Sequence, residues 1–274
     1  RFDGKTGSTI DYYDMIGVSA EVFEIHVDVF DNILIGGTFD TFVFAGDSYG
    51  AKDDYDSFIA KFDSNFNEEW AMTFESDNPG FIEAIRSISS DGAHVYFGSF
   101  FSDDLYIGFN PVLAEPSSES DIWLACATNN GNLEWIRSIP GSNLEVLRDI
   151  EVNEDFIYIS GRFKGQLQAS PTITAEGNWD LFILKLRKSS QIEHGLRAGS
   201  RKTDQGSPSE REDAKSIALD SHNNLYVVGS TFSDGEFGDY RFTTSGPTDF
   251  FYARVSLSHF STPPLPVVNC PPLF

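Results

Sequence analysis

The amino-acid sequence predicts an all-β protein on three observations: a repeated hexapeptide, a β-rich run that follows each copy, and the lack of a helical pattern. The 274 residues are 40% hydrophobic and include 25 Phe, enough for a sizeable core. No segment sustains the 3.6-residue apolar period of an amphipathic helix. Runs of β-branched and aromatic residues instead alternate with Gly, Asn and Asp, which predicts short strands joined by tight turns.

The hexapeptide has Ile at its third position and Asp or Asn at its sixth. Its four copies span residues 23–28, 86–91, 148–153 and 215–220. Each is followed by a β-rich run that ends in Phe, at Phe39, Phe101, Phe163 and Phe232, with spacings of 62, 62 and 69 residues. A third run begins with Asp at Asp56, Asp121, Asp180 and Asp249, and a fourth is clear at Glu69 and Glu134. Each unit therefore reads as four short strands.

Four antiparallel strands in about 60 residues are typical of one blade of a β-propeller. A single blade cannot bury both of its faces, so several must pack in a ring. We predict repeats at about 13–75, 76–140, 141–205 and 206–260, which make 1–260 one propeller domain. A parallel β-solenoid is the alternative, although its coils are shorter and lack such regular hairpins.

The repeats resemble the SBBP-type β-propeller repeats of bacterial secreted and surface proteins. The resemblance rests on Ile217–Asp220, on the Asn224–Phe232 strand and on Asp180–Leu186, and it extends to about residue 257. It implies a propeller in an extracellular or cell-surface protein and says little about a ligand. Repeat 3 departs from the pattern, with Ser160 in place of the Gly of its siblings.

The two ends of the chain predict how the ring closes. Residues 2–10 match residues 62–70 at a constant offset, so the N-terminal segment 1–12 supplies a lone fourth strand. The Pro-rich segment 261–274 reads as a linker or tail, because proline cannot donate to a sheet ladder. We therefore expect Thr9–Tyr12 to pair outside the Asp249–Ser256 strand and close a four-bladed ring. The alternative is an excerpt of a larger propeller.

The charge balance excludes some partners. A net charge of −23 argues against a nucleic-acid-binding domain and against docking on an anionic membrane, and no apolar run is long enough to span a bilayer. Eight of the 19 basic residues nevertheless fall within 185–215. This basic flank is either a solvated loop or a surface for head-to-tail self-association with an acidic flank of another copy.

The hexapeptides supply the candidate binding site. If they form the innermost strands, their polar side chains line the mouth of a central channel. The first positions carry Arg86, Arg148 and Lys215, and the second and fourth positions carry Glu24, His26, Asp149 and Glu151. An unpaired buried charge is costly, so a structural network between these cations and carboxylates is one interpretation. A site for a small polar ligand or ion is the other.

An acidic loop is a candidate Ca²⁺ site. It holds Asp47, Asp53, Asp54 and Asp56, whose carboxylates are the ligands that Ca²⁺ prefers. The run Asp63-Ser-Asn65-Phe-Asn67 comes near a calcium-loop spacing. The alternative is turn chemistry, in which Asp and Asn side chains bond their own backbone. Apart from Ca²⁺, no cofactor is expected.

Catalysis has little support in the sequence. The five His are scattered, and GxSxG, HExxH and P-loop motifs are absent. Cys126 lies in an apolar run and Cys270 in the Pro-rich tail, which favours neither a disulfide nor a metal site. We predict a non-enzymatic extracellular or cell-surface propeller that acts as a structural or binding module for a protein or glycan. A carbohydrate-active propeller enzyme and a subunit of a surface filament are the alternatives.

Overall fold

The computed structural model describes most of the chain. The described residues are 5–6, 8, 19–52, 55–76, 84–107, 110–113, 119–200, 212–232, 234–237, 240–243, 249–256 and 267–268. Within these ranges the protein is all-β, with antiparallel sheets and no helix, as the missing 3.6-residue period predicts. None of the described elements is a helix that could span a membrane.

The strands form four consecutive antiparallel meanders, which we call sheets 1 to 4. Sheet 1 contains β1 (Ser19–Val27), β2 (Ile33–Phe44), β4 (Asp56–Phe62) and β5 (Glu68–Ser76). Sheet 2 contains β6 (Ser87–Ser90), β7 (His94–Phe101), β10 (Asp121–Thr128) and β11 (Leu133–Ile139). Sheet 3 contains β12 (Glu145–Val152), β13 (Phe156–Phe163), β16 (Asp180–Arg187) and β17 (Ile192–Ser200). Sheet 4 contains β18 (Asp213–Leu219), β19 (Asn224–Thr231), β22 (Asp249–Ser256) and β23 (Val267–Val268).

The strand register makes the four sheets equivalent residue by residue. The Asp that opens each third strand pairs with a buried residue of the second strand, as in Asp56–Phe39 and Asp180–Phe163. In sheet 4 the partner of Asp249 is Thr231. The sequence-based alignment at Phe232 is therefore wrong by one residue, because Thr231 occupies the buried position there.

Successive sheets pack face to face through three hydrophobic clusters. Sheet 1 packs on sheet 2 around Trp123, sheet 2 on sheet 3 around Phe182, and sheet 3 on sheet 4 around Phe251. We call the side of a sheet that points to its predecessor the preceding face, and the opposite side the following face. Sheet 1 is the first described sheet, so its preceding face is the side whose residues occupy the same register positions as the preceding faces of sheets 2 to 4.

The first strands of the sheets lie side by side, with β6 against β1, β12 against β6 and β18 against β12. Among the described residues no comparable contact joins β18 back to β1, so the closed ring is not confirmed.

Each sheet has a hairpin between its second and third strands, which we call its arm, and the arms of sheets 2, 3 and 4 reach back to the preceding sheet. The arms are β8–β9 (Leu105–Ile107 and Asn110–Leu113), β14–β15 (Gln166–Leu167 and Ile173–Thr174) and β20–β21 (Gly235–Phe237 and Tyr240–Phe242). The first pairs with the end of β5, the second with the segment that follows β11, and the third with the end of β17. The arm of sheet 1, which contains β3 (Asp47–Gly50), folds on its own β2 instead.

The outer edge of β22 differs from the prediction. Val267 and Val268 pair there with Arg254 and Ala253, so the Pro-rich segment does contribute a short strand. The reason is that these two consecutive β-branched residues retain both amide donors between the flanking prolines. At Ala253 and Arg254 this strand takes the place predicted for an N-terminal strand. Thr9–Tyr12 itself lies outside the described residues.

Candidate functional site

The candidate site lies on the first strands of the sheets, where the hexapeptides fold as predicted. The register of three of these strands shifts at the first position of the hexapeptide, which holds Phe23, Arg148 or Lys215. Such a bulge redirects one side chain without interrupting the strand. It brings Arg148 and Lys215 together at the same end of neighbouring strands.

A cluster of cations surrounds the carboxylate of Asp213. Arg148 Nε lies 3.1 Å from both carboxylate oxygens, and Arg148 Nη2 lies 2.9 Å from Oδ2. Lys215 Nζ lies 2.6 Å from Oδ2, and Arg162 Nη1 lies 3.4 Å from it. Asp213 is buried, whereas Lys215 is half exposed. One buried carboxylate thus contacts three cations from β12, β13 and β18.

Arg86 adds a fourth cation to this group. Its guanidinium lies 5.0 Å from the ring centre of Phe23 and 5.8 Å from that of Phe100, within the range of cation–π attraction. Its Nε is buried and has no hydrogen-bond partner. Burial and the nearby charge of Arg148 lower the pKa of Arg86. We call Arg86, Arg148, Arg162 and Lys215 the cation cluster.

The carboxylate of Asp149 ties three first strands together. Its Oδ1 accepts a hydrogen bond from Ser87 Oγ at 2.9 Å, and its Oδ2 accepts one from Ser216 Oγ at 2.7 Å. The backbone N–H groups of Ile150 and Ile217 also donate to it, at 2.9 and 2.8 Å. Asp149 therefore has a structural role, because it satisfies donors from β6, β12 and β18 at once.

Two further carboxyl groups lie near Asp149. Burial, reinforced by the charge of Asp149, raises the pKa of Glu24 to about 7 and that of Glu151 to about 7. His26 does not join this group: burial lowers its pKa, and the opposing charge is that of Asp28.

The predicted ion-pair network is therefore wrong in its pairing. The predicted site residues do lie on the first strands, but Arg148 and Lys215 pair with Asp213 rather than with Glu24, Asp149 or Glu151. Sequence reasoning missed Asp213 and Arg162. The only local signal was the position of Asp213, two residues before Lys215.

The basic flank is mostly neutralised within the chain. Lys185 and Arg187 pair with Glu193, Lys188 pairs with Asp91, and Arg197 pairs with Asp180 and Glu236. Arg201, Lys202 and Arg211 lie outside the described residues. The described part of the flank therefore supports internal ion pairing rather than electrostatic docking to another copy.

The acidic loop that the sequence offers as a Ca²⁺ site lies only partly within the described residues. Asp56 is buried, and its carboxylate accepts hydrogen bonds from the backbone N–H groups of Lys52 at 2.6 Å and Ser76 at 3.2 Å. Asp47 is exposed at the start of β3, and Asp53 and Asp54 lie outside the described residues. No group of three metal-ligating side chains occurs among the described residues.

The turn interpretation is confirmed for the run that resembles a calcium loop. Asp63 Oδ1 accepts hydrogen bonds from the backbone N–H groups of Asn65 and Asn67, each at 2.8 Å. Asp28 and Asp220 make the same contacts in the first hairpins of sheets 1 and 4. These side chains shape turns by bonding their own backbone.

One buried carboxyl group was not anticipated from the sequence. Glu145, at the start of β12, is fully buried, and burial and the charge of Asp121 raise its pKa to about 8. The backbone N–H of Asn143 partly opposes this rise in the pKa of Glu145, although it is not placed to form a hydrogen bond with either carboxyl oxygen. Glu145 is therefore protonated at neutral pH, which avoids a buried charge between sheets 2 and 3.

A shallow pocket of about 480 Å³ lies between the first hairpins of sheets 2 and 3. Its lining includes Asp91, His94 and Glu154. His94 lies 3.6 Å from Asp91 and 3.5 Å from Glu134, and Lys188 also pairs with Asp91. Asp91 and His94 are therefore engaged with each other and with Lys188 and Glu134, rather than free as an acid–base pair.

The chain matches no protein-family model and no curated protein.

Proposed function

We propose that the protein is a non-catalytic, extracellular or cell-surface binding module of the β-propeller type. The propeller arrangement is supported by four equivalent meanders that stack through the same faces, with their first strands in consecutive contact. The resemblance of the repeats to SBBP-type sequences supports the location.

The ligand we propose is a carboxylate- or sulfate-bearing group on a glycan or protein partner. The observation that carries this proposal is the cation cluster, in which three cations contact the carboxylate of Asp213 and a fourth, Arg86, lies near Arg148, in a chain of net charge −23. Arg86 is the group best placed to bind an anion, because it makes no ion pair with a carboxylate among the described residues. A carboxylate or sulfate of the ligand would supply that counter-charge.

Isothermal titration calorimetry tests this function. The probes are an oligogalacturonide, its neutral galactose counterpart and an acidic peptide. We expect an acidic probe to bind, the neutral sugar not to bind, and Arg86→Gln to weaken binding about tenfold, since a charge-assisted hydrogen bond contributes about 1.5–3 kcal/mol. Arg241→Gln, at an exposed site on β21, is the matched control. Equal affinity of the Arg86→Gln variant, or no binding of any acidic probe, would refute the proposal.

A further inference from the structure

The two end sheets expose faces that the inner sheets bury. On the preceding face of sheet 1, Ile25 is 64% exposed, although its equivalents Ile88, Ile150 and Ile217 are at most 3% exposed. The equivalence follows from the register, because each of these residues pairs with the same position of the second strand. Val22 and Val27, on the same strand as Ile25, are also exposed.

Sheet 4 shows the same contrast on its following face. Phe250 is 64% exposed, whereas the equivalent Ile122 and Leu181 are buried against the next sheet. Tyr226 and Tyr252 are exposed as well, although Tyr158 and Ile183 at the same positions of sheet 3 are buried. The apolar side chains that join sheet 3 to sheet 4 thus recur on sheet 4 without a neighbour.

The three contacts between neighbouring sheets, which we call the inner junctions, show which kind of surface packs on each exposed face. In all three, the following face of one sheet contacts the preceding face of the next. Gly36 of sheet 1, for example, lies against Ile85 and Ile88 of sheet 2. The equivalents of these residues are Val228, Val22 and Ile25, which are all exposed. Val228 is larger than Gly36, so two copies would pack less closely at this position than sheets 1 and 2 do. Sheet 4 therefore carries one half of a junction and sheet 1 carries the other.

The arm of sheet 1 supports the same conclusion. The other three arms each pair with the outer strand of the preceding sheet or with its continuation. The arm of sheet 1 has no preceding sheet within the described chain, and its Phe42 and Phe44 cover only part of the preceding face, around Phe58 and Phe62. The part carried by β1 stays exposed.

We propose that a second copy of the chain covers these faces, with sheet 1 of one copy packed on the following face of sheet 4 of the other. Within the described residues the two faces do not meet in one molecule, and the inner junctions give a repeat-encoded template for the contact. The two copies contribute different faces, so the contact is heterologous, and each contact between copies joins one sheet 1 face to one sheet 4 face. It is independent of the cation cluster, and failure of either proposal leaves the other standing.

Sedimentation of two single-face variants tests the proposal. Wild-type protein is expected at twice the 30.5 kDa chain mass or a higher multiple. Phe250→Glu blocks the sheet 4 face and Ile25→Glu blocks the sheet 1 face, so each variant alone is expected to be monomeric. An equimolar mixture retains one intact face of each kind and should form a 1:1 complex. Both side chains are exposed, so the substitutions should leave folding intact, which circular dichroism checks.

Several results would overturn the inference. A wild-type monomer at concentrations up to 100 micromolar would do so. A mixture that stays monomeric would rule out the head-to-tail contact. A Phe250→Glu variant that still dimerises would point to a like-with-like contact instead. Glu154→Gln, at an exposed turn of sheet 3, is the control and should associate as the wild type does.

Discussion

Ile25 and Ile150 hold the same position of the repeat, yet one is largely exposed and the other is buried. The local chemistry is alike, since each pairs across the sheet with an Ile of the second strand. What differs is the neighbour: sheet 2 packs on the preceding face of β12, and no described sheet packs on that of β1.

The difference shows that the repeat specifies an apolar face of the sheet but does not by itself bury the residues on that face. The sequence places apolar side chains at the same register in the end sheets and in the inner sheets. Burial then depends on whether another sheet is present, because one sheet cannot cover its own two faces.

The largest expected effect is at Asp213. Asp213→Asn leaves the cation cluster without its buried counter-charge and should lower the free energy of unfolding by about 3–5 kcal/mol. Glu21 is the equivalent residue of sheet 1 and is exposed. Glu21→Gln should change stability by no more than about 0.5 kcal/mol. Urea unfolding at pH 7 measures both, and similar losses in the two variants would contradict the comparison.

A somewhat smaller effect is expected at Ile150. Ile150→Ala creates a cavity between sheets 2 and 3 and should cost about 2–4 kcal/mol. Ile25→Ala removes an exposed side chain and should cost less than about 0.5 kcal/mol in dilute, monomeric protein. Urea unfolding at low protein concentration separates this effect from association. A loss of 2 kcal/mol or more in dilute Ile25→Ala would mean that the same molecule covers this face.

A pH-dependent effect is expected at Glu151. Its pKa is raised to about 7, so the folded state binds a proton more tightly than the unfolded chain does. Its contribution to stability is therefore full below the unfolded value of about 4.5 and is lost as the pH rises through about 7. Glu151→Gln should raise the stability at pH 8 by about 1 kcal/mol, or about 2–4 °C in Tm, with little change at pH 5.

Thermal unfolding at the two pH values measures this effect. Glu24 has a raised pKa for the same reasons, so Glu24→Gln should behave in the same way although it lies in an end sheet. Glu154→Gln, in the exposed turn after β12, is the control. An equal change in Tm at pH 5 and pH 8 would show that Glu151 is not the titrating group.

Local patterns predicted much of the fold. The hexapeptides, the Asp before each third strand and the Asp-based turns indicated the strands of the four meanders, because strand alternation and turn chemistry are local. The arms could not be predicted, because the connections between second and third strands differ in length and sequence between repeats. The predicted closing segment, Thr9–Tyr12, lies outside the described residues. The pairing of Val267 and Val268 with β22 was also missed, since their prolines dominate the local pattern.

The candidate site was predicted only in part. The positions of Arg148 and Lys215 at one end of the first strands followed from the hexapeptides. Asp213 was missed because its partners Arg148 and Arg162 lie 65 and 51 residues away in the sequence. The equivalent position holds Val146 in sheet 3 and Glu21 in sheet 1, so the repeat does not consistently place a carboxylate there.

The most direct test of the central claim is a cysteine cross-link between copies at the predicted junction. Val228 and Ile25 are equivalent to Gly36 and Ile88, which lie against each other between sheets 1 and 2. Val228→Cys protein is mixed with Ile25→Cys protein and mildly oxidised, with Glu154→Cys replacing Ile25→Cys in the control. The account predicts a disulfide-linked heterodimer, identified by mass spectrometry, with Val228→Cys and Ile25→Cys only. Uncoupled chains, or equal cross-linking with the Glu154→Cys control, would contradict it.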